Sequence, residues 1–197
     1  MEKGRLEAFS DGVIAIIITI MVLELKTPHE GTWEALREKV PVFLSYVLSF
    51  LYVGIYWNNH HHLLMAAKRV NGGIMWANLH LLFWLSLIPF VTAWVPESHF
   101  AGPPITLYGV ALLLCAVSYY LLQIAIVRIH GHDSVLLKAL GCDMKGKISP
   151  VLYAAAIGLS FVWPWVAFAI YALVALMWLI PDPRIAKALA EADERSA

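Results

Sequence analysis

The chain has 197 residues, of which 60% are hydrophobic and only 14% charged, and its mean hydropathy is +0.71. Soluble domains carry about 25% charged and about 45–50% apolar residues, so this composition excludes an ordinary soluble domain and indicates a membrane protein. Fourteen basic and fourteen acidic residues give zero formal net charge, which leaves no basic surplus for binding nucleic acid. Two cysteines exclude a disulfide-stabilised fold.

The apolar segments predict an all-α, polytopic membrane protein, because one bilayer-crossing helix needs about 20 mostly apolar residues. Six candidate spans follow one another at residues 6–25, 41–59, 74–95, 104–127, 149–163 and 165–180. Read as one helix, residues 149–180 would extend for ~48 Å, which is too long for a single crossing. We therefore predict a turn within Phe161–Trp165, a six-helix transmembrane domain over residues 1–180 and a short tail over residues 181–197.

Loop charges predict the orientation of these spans. With the N-terminus inside, 11 of the 14 Lys and Arg residues lie in cytoplasmic segments, and Lys26, Arg37 and Lys39 lie outside. Because cytoplasmic loops carry the excess of basic residues, both termini are predicted to be cytoplasmic, in the cell membrane. Tryptophans near the span ends fit an interfacial aromatic belt, and these are Trp57, Trp76, Trp94, Trp163, Trp165 and Trp178.

The first span combines an apolar stripe with one deep carboxylate. Thr19 is the single polar side chain between Gly12 and Leu23. At about 100° per residue, Ile16, Ile20 and Leu23 share one stripe, with Thr19 beside it. Asp11 lies about 140° away from Ile16, on a face that we expect to point at neighbouring helices.

A carboxylate at this depth requires hydrogen-bond donors, because intramembrane ionisable groups are costly when unpaired. The second span ends near Asn59 and His60, and the third begins near Asn78 and His80, all at the level of Asp11. We therefore expect a hydrogen-bond cluster on the cytoplasmic side, with one histidine bonded to the Asp11 network. The residues alone leave another interpretation open, in which Asp11 caps the helix end and the stripe is ordinary core.

Three short motifs resemble those of the transmembrane protein 175 family, which comprises endosomal and lysosomal potassium channels and their shorter bacterial relatives. They are Arg5-x-x-x-Phe9-Ser10-Asp11 before the first span, Trp57-x-Asn59-His60-His61 at the end of the second, and Trp76-x-Asn78-Leu79 opening the third. The resemblance covers about residues 5–95. The remaining predicted spans agree with the family only in their number and their positions along the chain.

The resemblance implies a potassium-selective, leak-type channel assembled as a homotetramer, with the first helix of each subunit lining one pore. A hydrophobic constriction maps onto Ile16 and continues outward through Ile20 and Leu23, and Thr19 maps to a position associated with selectivity. The signature residues would hold the helix start rather than coordinate the ion; they are Arg5, Phe9, Ser10 and Asp11. The implied partners are potassium ions, the lipid bilayer and further copies of the chain, with no cofactor and no metal beyond permeating potassium.

Two other classes of protein compete with the channel. A metal enzyme is not expected, because the consecutive side chains of His60, His61 and His62 diverge by about 100° on a helix and do not converge on one ion. The alternative that remains is a proton-coupled secondary transporter that uses Asp11 and His80 as a relay. The sequence shows no inverted repeat and no pair of broken spans of the kind such transporters use.

Overall fold

The computed structural model describes residues 2–130 and 144–179, and within these ranges all regular structure is helical. The helices are α1 (Lys3–Leu23), α2 (Trp33–Glu38), α3 (Val40–Ala66), α4 (Gly72–Ser86), α5 (Ile88–Glu97), α6 (Gly102–His130), α7 (Met144–Ser160) and α8 (Pro164–Leu179). The predicted all-α class is therefore confirmed. The predicted tail at 181–197 lies outside the described residues.

Within the described residues, four segments are long and apolar enough to cross a membrane, namely Lys3–Leu23, Val40–Ala66, Gly72–Glu97 and Gly102–Ile129. They correspond to the first four predicted spans, and they make the chain a multi-pass membrane protein. The last two predicted spans correspond to α7, with 17 residues, and α8, with 16 residues. The described parts of these two helices cover most of the approximately 20 residues that a perpendicular crossing requires.

The third predicted span is interrupted at Leu87, which separates α4 from α5. Pro89 is the cause, since it occupies the second position of α5 and has no N–H to continue the helical ladder. The backbone continues in the same span, because the N–H of Val91 bonds to the carbonyl of Leu87 at 3.2 Å. The break therefore bends one crossing segment rather than ending it.

A tight turn joins α7 to α8, as the sequence predicts. The N–H groups of Val162 and Trp163 both donate to the carbonyl of Leu159, at 3.0 and 2.7 Å. Pro164 then opens α8, where a missing N–H carries no penalty. Phe161, Val162 and Trp163 are exposed at this turn.

The helices pack in two connected groups. Helix α1 packs against α3, α4 and α5, whereas α6 packs against α4, α5, α7 and α8, and α3 also contacts α8. One continuous apolar core joins these helices. Because its neighbours lie on one side, α1 is left with a long face that no other described helix covers.

Candidate pore helix and its anchor

Helix α1 turns one narrow face toward the rest of the subunit. The buried positions recur every three or four residues, as expected for one side of an α-helix, and they are Leu6, Ser10, Ile14, Ile17 and Met21. Their apolar members belong to the common core. This face fixes how α1 is rotated and therefore decides which side chains point away from the subunit.

The predicted apolar stripe lies on the exposed side of the same helix. The exposed fractions are 59% for Ile16, 43% for Ile20 and 74% for Leu23. Thr19 is exposed on the same side, and its hydroxyl donates to the carbonyl of Ala15 at 2.8 Å. Because that bond uses the hydroxyl hydrogen, the Thr19 oxygen keeps acceptor capacity on a surface that is otherwise apolar.

A buried chain of hydrogen bonds fixes the start of α1 to α3 and α4. The Asn78 side-chain amide donates to Ser10 Oγ at 2.9 Å, and the Ser10 hydroxyl donates to the Leu6 carbonyl at 2.8 Å. His60 Nε2 lies 2.6 Å from Asn78 Oδ1. Since an amide oxygen can only accept, Nε2 must carry the proton. Three side chains that are at most 1% exposed thus connect three helices.

Asp11 has a different partner from the one predicted. Its Oδ1 accepts a hydrogen bond from Trp57 Nε1 at 3.0 Å, and Trp57 is 46% exposed. The expectation that a histidine would bond to Asp11 is wrong, because His60 reaches Ser10 through Asn78 instead. The reason is rotational: Ser10 lies on the buried face of α1, whereas Asp11, one residue further, lies at its edge.

The remaining predicted cluster residues bond elsewhere. The Asn59 amide donates to the carbonyl of Ile55, within its own helix, at 2.9 Å. His80 Nε2 accepts from Trp84 Nε1 at 3.0 Å, and His80 Nδ1 lies 3.0 Å from Ser118 Oγ. Both ring nitrogens of His80 therefore bond to residues other than Asp11. This arrangement disfavours a proton relay between Asp11 and His80.

Two further signature residues and one unpredicted contact complete the start of α1. Arg5 and Phe9 lie on its exposed side. Lys3 Nζ donates to the Met65 carbonyl at 3.1 Å and so adds a bond between the start of α1 and the end of α3. The sequence offered no spacing signal for this contact. Trp57, in contrast, lies in one of the sequence motifs, and in the structure its indole N–H donates to Asp11.

The fold and site define a multi-pass helical membrane protein with an unusual first helix, polar at its start and apolar along its exposed side. A family model described as the endosomal/lysosomal potassium channel TMEM175 matches residues 5–89. The chain is 56% identical to a potassium channel of Chryseobacterium sp., over 97% of this chain and 100% of that relative. It is 32% identical to a potassium channel of Streptomyces collinus, over 90% of this chain and 91% of that relative.

This chain belongs to the TMEM175 family. Its structure is similar to the crystal structure of a lysosomal potassium-selective channel TMEM175 homolog from Chamaesiphon minutus, with a TM-score of 0.80 and 29% sequence identity. The similarity covers 91% of this chain and 97% of that chain. The likeness therefore extends beyond the first three spans, in which the sequence motifs lie, and includes α6, α7 and α8.

Proposed function

We propose that this chain is one subunit of a homotetrameric, potassium-selective leak channel whose pore is lined by α1. The observation that carries the proposal is the exposed stripe of Ile16, Ile20 and Leu23, with Thr19 beside it. In a family whose relatives are named potassium channels, four such stripes around one axis form a narrow apolar path.

A groove that runs from the stripe residues Ile16 and Ile20 to α5 supports assembly with further copies. Its volume is about 550 Å³, and its lining includes Val13, Ile16, Ile20, Pro89 and Phe90. Phe90 is itself exposed. Apolar side chains of a neighbouring subunit fit such a surface, and their docking would place the α1 helices side by side around the pore axis.

A ring of apolar side chains controls the passage of an ion in two ways: the ring is narrow, and water tends to leave it. A potassium ion sheds its hydration shell at lower cost than a sodium ion, so a ring at Ile16 favours potassium without a set of backbone carbonyls. The Thr19 oxygens, one turn further along, offer one acceptor per subunit to the partly dehydrated ion. Ile20 and Leu23 extend the narrow region outward.

The anchor at the start of α1 serves this pore by fixing the rotation of the helix. A rotation of about 100° would replace each stripe residue by its sequence neighbour. On the buried side of α1, Ser10 accepts a hydrogen bond from Asn78. At the edge of that side, Asp11 accepts one from Trp57. In this proposal Arg5 and Phe9, on the exposed side, contact the neighbouring subunits.

We further propose six crossings per subunit, with both termini in the cytoplasm and the protein in the cell membrane. Aromatic and apolar residues are exposed at the turn between α7 and α8, including Phe161, Trp163 and Trp165. Tryptophan at a helix end is typical of a membrane interface. The turn therefore fits the outer interface, where the two helices meet after crossing in opposite directions.

Reconstitution of the purified chain into planar bilayers tests the function. Under a potassium gradient opposed by sodium, we expect single-channel currents that reverse near the potassium equilibrium potential. Currents that reverse midway between the two equilibrium potentials would contradict selectivity. Saturable flux that depends on a proton gradient, without single-channel events, would contradict the channel and favour the transporter.

A further inference from the structure

A cavity of about 660 Å³ lies among α3, α6, α7 and α8, and no residue of α1 is among its described lining residues. Aromatic side chains form about a third of its described lining, including Tyr52, Tyr56, Tyr153 and Trp178. Its volume falls within the range of about 300–1,000 Å³ that is typical of ligand sites. The pore proposed above makes no use of this space.

Most polar groups of the cavity wall already bond to the protein. Tyr153 donates to the Tyr52 hydroxyl at 3.4 Å, and Tyr52 donates to the Tyr171 carbonyl at 2.5 Å. Trp178 Nε1 donates to Ser149 Oγ at 2.8 Å. Because these groups need no water to satisfy them, the inner part of the cavity favours an apolar occupant.

Gln123 is one of the described lining residues whose polar side chains make no hydrogen bond to the described part of the protein. Its side chain is 7% exposed and borders the cavity, yet its amide makes no hydrogen bond to any described residue. Its atoms are open to the cavity, so the amide can bond to a molecule that occupies this space. An amide placed in this way points to a ligand that brings an acceptor, such as an ester carbonyl or a phosphate oxygen.

Basic side chains lie at one end of the cavity. Arg128 and Lys147 both belong to its lining, and Arg128 follows Ala116 by twelve residues along α6. Helical rise separates those two residues by about 18 Å, so positive charge lies at one end and apolar wall at the other. Basic pockets between transmembrane helices on the cytoplasmic side bind anionic lipid headgroups.

We propose that the cavity binds one anionic phospholipid of the surrounding bilayer. One acyl chain occupies the tyrosine-lined part, an ester group reaches the Gln123 amide, and the phosphate lies beside Arg128. No described residue of α1 lines the cavity. If α1 faces a central pore, as proposed above, the cavity faces the surrounding lipid, so this inference rests on the proposed function. A zwitterionic lipid fits the same space, but its headgroup interacts less favourably with the basic end of the cavity.

Native mass spectrometry of the full-length protein in detergent, after delipidation, tests this site. We expect about one phosphatidylglycerol per subunit, bound more tightly than phosphatidylcholine with the same acyl chains. Arg128→Gln should weaken phosphatidylglycerol binding about fivefold, since one basic residue near an anionic headgroup contributes about that factor. Gln123→Leu should weaken the binding of both lipids. Arg69→Gln, which removes a basic residue outside the cavity lining, is the matched control and should change neither.

Ala116→Trp fills the cavity and should abolish binding of both lipids while the protein retains its thermal unfolding midpoint. Equal affinity for the two lipids, or unchanged phosphatidylglycerol affinity in Arg128→Gln, would overturn the proposal even if Ala116→Trp fails to fold. Lipid binding and potassium flux are measured separately. A protein that conducts potassium but binds no lipid would overturn the lipid site alone, and lipid binding without flux would overturn the proposed function alone.

Discussion

His60 Nε2 donates to Asn78 Oδ1 across 2.6 Å, and the amide nitrogen of the same Asn78 side chain donates to Ser10. One asparagine therefore joins three helices, because its oxygen and nitrogen serve different neighbours. Asn78 is fully buried, so neither bond competes with water. Together with the buried face of α1 and the bond between Trp57 and Asp11, this side chain fixes the orientation of the proposed pore helix relative to the subunit.

Substituting Asn78→Leu should lower the free energy of unfolding by about 1–3 kcal/mol, because it removes the acceptor of the buried His60 Nε2–H and the donor to Ser10 Oγ. Thermal unfolding in detergent, followed by tryptophan fluorescence, measures the change. His62→Leu is the control, since His62 lies next to the same motif but outside the hydrogen-bond chain. Equal losses in the two variants would contradict a specific role for Asn78.

Asp11 and Trp57 should behave as a coupled pair. Asp11→Ala and Trp57→Phe each remove the 3.0 Å hydrogen bond, and the second keeps most of the aromatic surface. Because Trp57 is about half exposed, we expect each variant to lower the yield of tetramer on size-exclusion chromatography modestly, with little change in ion preference. The double variant should lose no more than the worse single variant, as is typical of two residues that share one interaction.

Additive losses in the double variant would show that the two side chains act independently. Normal assembly with altered ion preference in Asp11→Ala would contradict an anchoring role. It would instead place the carboxylate beside the permeating ion.

The sequence predicts where membrane helices occur better than where they end. Apolar runs located the first four spans, yet α3 extends to Ala66, beyond the predicted end at residue 59. The polar stretch from Asn58 to His62 continues the helix, because loss of hydrophobicity marks the edge of the apolar region rather than the end of helical hydrogen bonding. In the third span, Pro89 was visible in the sequence, and the structure places the helix break two residues before it, at Leu87.

The contacts of the site were harder to predict, because they depend on helix rotation and on distant partners. Because Asp11 is charged, the sequence predicted it as the centre of the hydrogen-bond cluster. In the structure the neighbouring Ser10 is the buried residue. His80 was assigned to the same cluster by its depth, whereas it bonds to Ser118, 38 residues away on α6. Helical spacing indicates which residues share a face, and it does not indicate which neighbouring helix that face meets.

Ile16→Asn should raise single-channel conductance several-fold and bring the potassium-to-sodium permeability ratio closer to one. An amide at the narrowest apolar ring holds water, so both ions pass with less dehydration. Bilayer recordings of reversal potential and current amplitude measure both effects. Val22→Asn is the matched control, because Val22 is exposed on the same helix but on another side. Unchanged permeation in Ile16→Asn would show that the constriction lies elsewhere.

Cysteine scanning of residues 12–24 tests the direction of the whole stripe. In a Cys142→Ala background, with the buried Cys115 retained, water-soluble methanethiosulfonate reagents should react fastest at positions 16, 20 and 23. Positions 14, 17 and 21 should remain protected, because their side chains face the core. Lipid-facing positions are exposed in the subunit but dry in the bilayer, so the reaction separates a pore surface from a lipid surface. A flat profile, or fastest reaction at positions 15, 18 and 22, would contradict the proposed rotation of α1.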